Sequence, residues 1–225
     1  MNRSQEVNFL KFIKLLSDND CLQHVILIGS WAEYVYKEAQ LVHGLEPNIV
    51  TRDIDFLIKN IRKPAEPKSI TALAREAGYR IESDILYNTT KIQSGADLEI
   101  EFIVNQMGSG DTSVIKTNLG VNAQALRNMD ILSKHSIKTN LFGFDITVPI
   151  PEAYVLHKML INAERKEKST KDKFSILNLY KFIDKGIFLS LFEELSPKAQ
   201  RKVHTFIQDN KLNDISQTPT IRLRR

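Results

Sequence analysis

Asp53 and Asp55 are the residues of this chain whose types and spacing most directly permit chemistry. They stand two apart in TRDIDFLIK, alternating with Ile54 and Phe56. Such alternation predicts a β-strand, and its period of two puts both carboxylates on one face. Two neighbouring carboxylates repel unless a cation lies between them. A hard ion such as Mg²⁺ meets that need, because it prefers oxygen ligands and takes one or two carboxylates together with phosphate oxygens. Asp is disfavoured within strands, so the pair costs stability that a functional role would explain. An exposed edge strand with its polar face in water would accommodate the same pattern, and the dipeptide alone does not decide.

Three further features could act with the pair. Upstream, HVILIGS is an apolar run ending at Gly29-Ser30, and good helix formers follow in WAEYVYKEA. A strand, a tight turn and a helix N-terminus together present N–H groups and a hydroxyl to an anion. Ser30 equally suits a helix cap, with Glu33 at the capping-box position. Downstream, ADLEIEFIV alternates Leu98, Ile100 and Phe102 on one face with Glu99 and Glu101 on the other. In PEAYVLHKMLINAERKEKSTKD, Val155, Leu156, Met159, Leu160 and Ala163 form the apolar stripe of a helix opened by Pro151. Lys158, Asn162 and Arg165 fall on the opposite face. A Lys and an Arg there can neutralise phosphate, the Arg bidentately and the Lys as a point charge. They read equally well as ordinary exposed charges, Asp172 as a helix cap and His157 as structural.

The elements that must position these residues follow from the remaining pattern. Residues 4–16 carry apolar side chains at helical spacing. LVHGLEPN is a connecting loop, and SITALAREAGY is a short helix ended by Gly78. Residues 79–93 are β-prone but ambiguous, MGSGD is a turn, and AQALRNMDILS is expected to be a short helix. HSIKTNLFGFDITVPIP is expected to be two strands folded about Gly143. Helices dominate after Pro151, with one over residues 172–184 and two more before a polar tail.

Composition bounds the setting. The chain has 225 residues, 42% hydrophobic and 26% charged, the mixture of a globular protein. No run approaches the roughly 18 apolar residues that a membrane span requires, and the first residues lack the apolar core of a secretion signal. Cys21 is the one cysteine, so an internal disulfide framework is excluded; it is read as a small residue before a strand. A cytoplasmic location and no membrane partner are expected. The net charge of +4 is uneven: residues 151–225 carry 15 Lys and Arg against 9 Asp and Glu (+6), and residues 1–150 the other 16 against 18 (−2). That asymmetry suits an acidic catalytic half and a basic half facing a polyanion, and equally suits solvated helix faces.

Taken together, ILIGSWAEYVY followed by TRDIDFLI resembles the signature of the DNA polymerase β-like nucleotidyltransferase superfamily, in which a Gly-Ser turn precedes two aspartates and a third acidic residue on a neighbouring strand completes a metal site. The interval between turn and aspartates is longer than in minimal members and resembles that of bacterial branches that include uncharacterised nucleotidyltransferases and the AbiEii-type toxins. The resemblance implies an α/β (α+β) fold with a mixed sheet and flanking helices. Residues 1–150 would form the nucleotidyltransferase domain, and residues 151–225 a helical domain completing the nucleotide site. It implies Asp53 and Asp55 as catalytic metal ligands, with Gly29 and Ser30 against nucleotide phosphate. Glu101 is the favoured third carboxylate; Glu99 is the alternative and Asp97 a weaker one. The segment from Pro151 is similar to the His-Lys, Arg and Lys-Asp helix of those branches. That similarity adds Lys158, Arg165, Lys171 and Asp172 to the nucleotide site.

The implied reaction transfers a nucleoside monophosphate from a nucleoside triphosphate to an acceptor hydroxyl, releasing pyrophosphate, with Mg²⁺ or Mn²⁺. An RNA or tRNA end suits the basic half as acceptor; an aminoglycoside-like molecule and a protein hydroxyl are other acceptors. Rival readings are an inert nucleotide-binding module and a toxin that binds an antitoxin protein. The resemblance spans residues 24–172 with gaps.

Overall fold

The alternating segments become the strands of one mixed sheet. In a computed structural model of the protein, residues 3–47, 52–84, 88–95, 98–106, 108, 114–164 and 169–212 are described. The chain divides into two compact units, Met1–Ile150 and Pro151–Arg225.

In the first unit the order is α1 (Arg3–Asp18), β1 (Val25–Ile28), α2 (Ser30–Glu38), β2 (Asp53–Ile58), α3 (Ile70–Glu76), β3 (Arg80–Ser83), β4 (Thr90–Ser94), β5 (Leu98–Asn105), β6 (Val114–Lys116), β7 (Asn122–Leu126), α4 (Asp130–Lys134), β8 (Ser136–Leu141) and β9 (Phe144–Pro149). The main sheet runs β1-β2-β5-β4-β3, with β7 joined to β5 and β6 to β7. β2 and β5 are parallel, β7 is parallel to β5, and the remaining pairs are antiparallel. This is the mixed α/β architecture expected from the sequence. The β8–β9 hairpin turns through Phe142 and Gly143, at φ 49° and 92°; positive φ at both central residues matches the right-handed twist of its strands.

The two faces of the sheet differ in chemistry. On one, Ile54, Phe56, Ile100 and Phe102 are buried, and the rings of Phe12, Phe56 and Phe102 follow one another at 6.0 Å, joining α1 to the two central strands. Phe9 of α1 stacks on Trp31 of α2 at 4.3 Å. On the other face, Ile26, Ile28, Leu57 and Ile103 pack with Met129 and Leu132, and the carboxylates of β2 and β5 occupy the rest of it.

One expected element has the wrong type. AQALRNMDILS holds strand β7 and then helix α4, not a single helix. Ala and Leu favour helix locally, but residues 124–126 pair with Ile103, Val104 and Asn105 of β5. Ala123 and Ala125 are fully buried there, and tertiary pairing outweighs a propensity worth tenths of a kcal/mol per residue. The described part of residues 79–93 holds β3 and most of β4, which pair antiparallel, and the MGSGD turn falls almost wholly outside the described residues.

The second unit contains α5 (Pro151–Asn162), α6 (Ser169–Tyr180), α7 (Lys185–Glu193) and α8 (Pro197–Asp209). Helix α5 packs against the other three and is buried from Glu152 to Leu160. On the expected polar face opposite its apolar stripe, Lys158 is therefore buried and Asn162 only partly exposed, because α5 is the central helix of this unit. Glu152 accepts a hydrogen bond from the Asp184 N–H at 2.9 Å, while Asp184 caps α7 through Ile187 N–H.

Truncation of the aromatic ladder tests this core. Phe56→Ala is expected to lower unfolding free energy by about 3–5 kcal/mol, measured by urea denaturation; a loss within about 1 kcal/mol would show that Phe56 does not anchor the central strands.

Candidate active site

Parallel pairing brings two acidic strand segments side by side. Asp53 stands opposite Glu99 and Asp55 opposite Glu101, and directly paired residues project to the same side of a sheet. All four are only partly exposed. The rows continue outward, Glu101 opposite Lys91 and Glu99 opposite Gln93 on β4, then Glu82 and Arg80 on β3. Asp97 lies outside the described residues.

The turn after β1 reaches the same place. Ile28 pairs with Asp55, so Gly29 lies beside that carboxylate. Gly29 has φ +69°, and a Cβ built on it would come 2.5 Å from Asp55 Oδ2. Both facts require glycine here. Gly29 is also the N-cap of α2. Ser30 is therefore the first helical residue, one position later than a capping box requires. Glu33, in the first turn, is buried, and with Gly29 as the N-cap it stands one position beyond the place a capping box needs. What remains is the N-terminus of a nine-residue helix, with its positive dipole end, next to Asp55.

Lys91 is the site residue that sequence reading missed. Its Nζ lies 2.6 Å from Glu99 Oε1, 2.9 Å from Glu101 Oε1 and 3.9 Å from Asp84 Oδ2. Gln93 Nε2 donates to the other oxygen of Glu99 at 2.6 Å. Burial would raise the Glu99 carboxyl, but hydrogen bonds from Lys91 and Gln93 and the Lys91 charge together hold it below the usual Glu range. Burial would likewise lower the Lys91 ammonium, and its bonds to Glu99 and Glu101 push it well above an ordinary Lys. The only sequence signal was alternation in TKIQS, which sets Lys91 and Gln93 on the face away from Ile92.

Within the second unit, Lys158 and Asp172 come together. Lys158 Nζ donates to Asp172 Oδ1 at 3.0 Å, with side chains 7% and 5% exposed. The ammonium also sits 5.0 Å over the Tyr154 ring. Asp172 is thus an ion-pair partner within the first turn of α6, and not its cap. Lys171 precedes it, half-buried, and Arg165 lies outside the described residues. His157 is buried. Cys21 is buried as well, and that burial pushes its thiol up, away from the range of a ready nucleophile.

The donor set near Gly29 fits a hard divalent ion. Asp53 and Asp55 offer carboxylate oxygens on one partly exposed face, and the absent Cβ of Gly29 leaves Asp55 Oδ2 room against the backbone. Glu101 shares that face with one oxygen on Lys91. Among the described residues no three His, Cys, Asp or Glu side chains are grouped as a metal would require, so the fit rests on the two aspartates.

Two measurements probe this geometry. Gly29→Ala is expected to cost at least about 1 kcal/mol from positive φ alone, with more from displacing Asp55; an unchanged urea midpoint would contradict the close approach. The Glu99 carboxyl, depressed in the folded state, adds stability above its unfolded pKa and loses it as pH falls through the folded value. The stability advantage of the native chain over Glu99→Gln is therefore expected to shrink between about pH 7 and pH 3. A gap that stays constant would contradict the assignment.

No curated protein matches the sequence. The fold is similar to an antigenic nucleotidyltransferase-like protein from Paracoccidioides brasiliensis, at 14% identity and a TM-score of 0.55, covering 92% of this chain and 88% of that one. A weaker likeness is to ANT(2″)-Ia in complex with adenylyl-2″-tobramycin, at 14% identity and a TM-score of 0.49 over 91% and 98% of the two chains. A family model described as nucleotidyltransferase matches residues 8–181, most of the chain, and on that match the protein belongs to the nucleotidyltransferase family.

Proposed function

We propose that this nucleotidyltransferase transfers a nucleoside monophosphate from a nucleoside triphosphate to an acceptor hydroxyl, using Asp53 and Asp55 as the seat of Mg²⁺ or Mn²⁺. The observation that carries the reading is the meeting of Gly29, Asp55 and Glu101: a glycine-capped helix N-terminus and carboxylates from two paired strands share one face. When bound, the ion would supply Lewis-acid charge that offsets the negative charge of the reacting phosphates. Asp53 and Asp55 present the oxygens that hold it. Gly29 and Ser30 open α2, whose N-terminal N–H groups and dipole favour phosphate. Glu101 is the third carboxylate, and its second oxygen takes the proton from the acceptor hydroxyl. With no covalent chemistry for the protein to do, catalysis rests on positioning and charge neutralisation.

Lys158, Arg165, Lys171 and Asp172 belong to the same proposal as nucleotide-binding residues. Their support is the motif resemblance, with Asp172 fixing the Lys158 ammonium. The acceptor we favour is polyanionic, an RNA or tRNA end; its support is the +6 balance of residues 151–225. The long interval from Gly29 to Asp53 supports a place near the AbiEii-toxin-like branch, with an antitoxin as protein partner and a cytoplasmic location. Co-purification with the product of a neighbouring gene tests that placement.

The central experiment incubates the protein with Mg²⁺ or Mn²⁺, each labelled nucleoside triphosphate, and RNA or small-molecule acceptors, while following pyrophosphate release. Asp53→Ala and Asp55→Ala are expected to lose at least about a hundredfold in turnover, as removal of a metal worth several kcal/mol requires, with an unchanged far-ultraviolet circular dichroism spectrum. Undiminished turnover in either variant would overturn the assignment.

A further inference from the structure

The carboxylate face contains a cation of its own. Lys91 stands opposite Glu101 in the β4–β5 register, and its ammonium is shared by Glu99 at 2.6 Å and Glu101 at 2.9 Å. Gln93, one residue pair along the same ladder, secures the second oxygen of Glu99 at 2.6 Å. The lysine is therefore fixed at both ends: its backbone by strand pairing and its ammonium by two short ion pairs. Charge-assisted bonds of this length are the stronger kind, and the side chains involved are about three-quarters shielded from water. A divalent ion bound to Glu101 would meet the Lys91 ammonium at close range, and like charges a few ångströms apart in a partly desolvated site repel strongly.

We propose that Lys91 is a positioning residue that takes the place of a second divalent ion: its ammonium holds Glu101 and Glu99, and the chain binds a single divalent ion, at Asp53 and Asp55. The inference rests on the reading of the two aspartates as the metal seat. Asp53 and Asp55 lie on the β1 side of the face, beside Gly29, whereas Lys91 reaches the face from β4 on the other side of β5. A fixed cation and an exchangeable one thus divide the carboxylates between them. Glu101 is held and oriented by the lysine through its Oε1.

Titration of the full-length protein with Mn²⁺, alone and with a non-hydrolysable ATP analogue, reads the number of ions directly by electron paramagnetic resonance of free Mn²⁺. The native chain is expected to bind one ion. Lys91→Gln is expected to gain a second ion, or to bind the first about tenfold more tightly, the low end of what a unit charge a few ångströms away is worth at a solvated site. Lys91→Arg, which preserves the charge, is expected to restore the native stoichiometry and affinity. Should Lys91→Gln fail to fold, Glu101→Gln gives the same answer: one ion retained at native affinity supports the proposal, and a lost ion overturns it. Two ions in the native chain, or native Mn²⁺ binding in a folded Lys91→Gln, overturn the inference alone. Native Mn²⁺ binding in Asp53→Ala, or none in the native chain, overturns the metal seat itself.

Discussion

The register between β2 and β5 is the constraint on which the rest of the candidate site depends. Parallel pairing places Asp53 by Glu99 and Asp55 by Glu101. A slip of one residue would turn every side chain of one strand to the opposite face, moving the aspartates into the aromatic layer of Phe12, Phe56 and Phe102. The two faces therefore fix each other. Burial of Ile54, Phe56, Ile100 and Phe102 holds the register, and the register assembles the carboxylates. The glycine turn and the lysine are then set by their own pairings to β2 and β5, one from each side.

Gathering four carboxylates on neighbouring central strands runs against sheet propensity and against Coulomb repulsion. The structure meets this with position and with charge. The acidic residues sit at one end of the polar face, where they retain some water, while Ile26, Ile28, Leu57 and Ile103 close the other end with Met129 and Leu132. Lys91 and Gln93 satisfy the Glu99–Glu101 side. The Asp53–Asp55 side faces the N-terminus of α2, whose dipole favours negative charge. The local conflict between sequence preference and structure falls at the proposed metal seat, and such conflicts are expected at functional sites.

The second unit shows a different use of charge. Lys158 and Asp172 form an ion pair almost wholly removed from water, joining α5 to α6 across the heart of that unit. Such a pair contributes little net stability, because desolvation offsets its attraction, but the loss of either partner leaves an unpaired buried charge. Glu152 accepts the backbone N–H of Asp184, the N-cap of α7. Helix α5 therefore carries polar side chains that organise its neighbours, on a surface where amphipathic spacing alone would have suggested solvent.

Short-range physics made much of this molecule legible from the sequence. Alternation placed Asp53 with Asp55 and Glu99 with Glu101, each pair on one side of its strand, because side-chain direction in a strand depends only on parity. The break after HVILI marked a strand–glycine–helix junction at Gly29, because no local alternative suits those residues. Family membership followed the same motifs. Pairing across sequence was decided only in the fold. The AQAL segment became a strand because it pairs with β5 and its alanines are buried there. Ser30 lost the cap to Gly29 through close approach to Asp55. Lys158 went inside because three helices close over α5. Lys91 belongs to the site because β4 returns antiparallel beside β5 and sets it opposite Glu101. Parity along a strand is written locally, whereas which strand lies alongside is chosen by burial summed over the whole sheet.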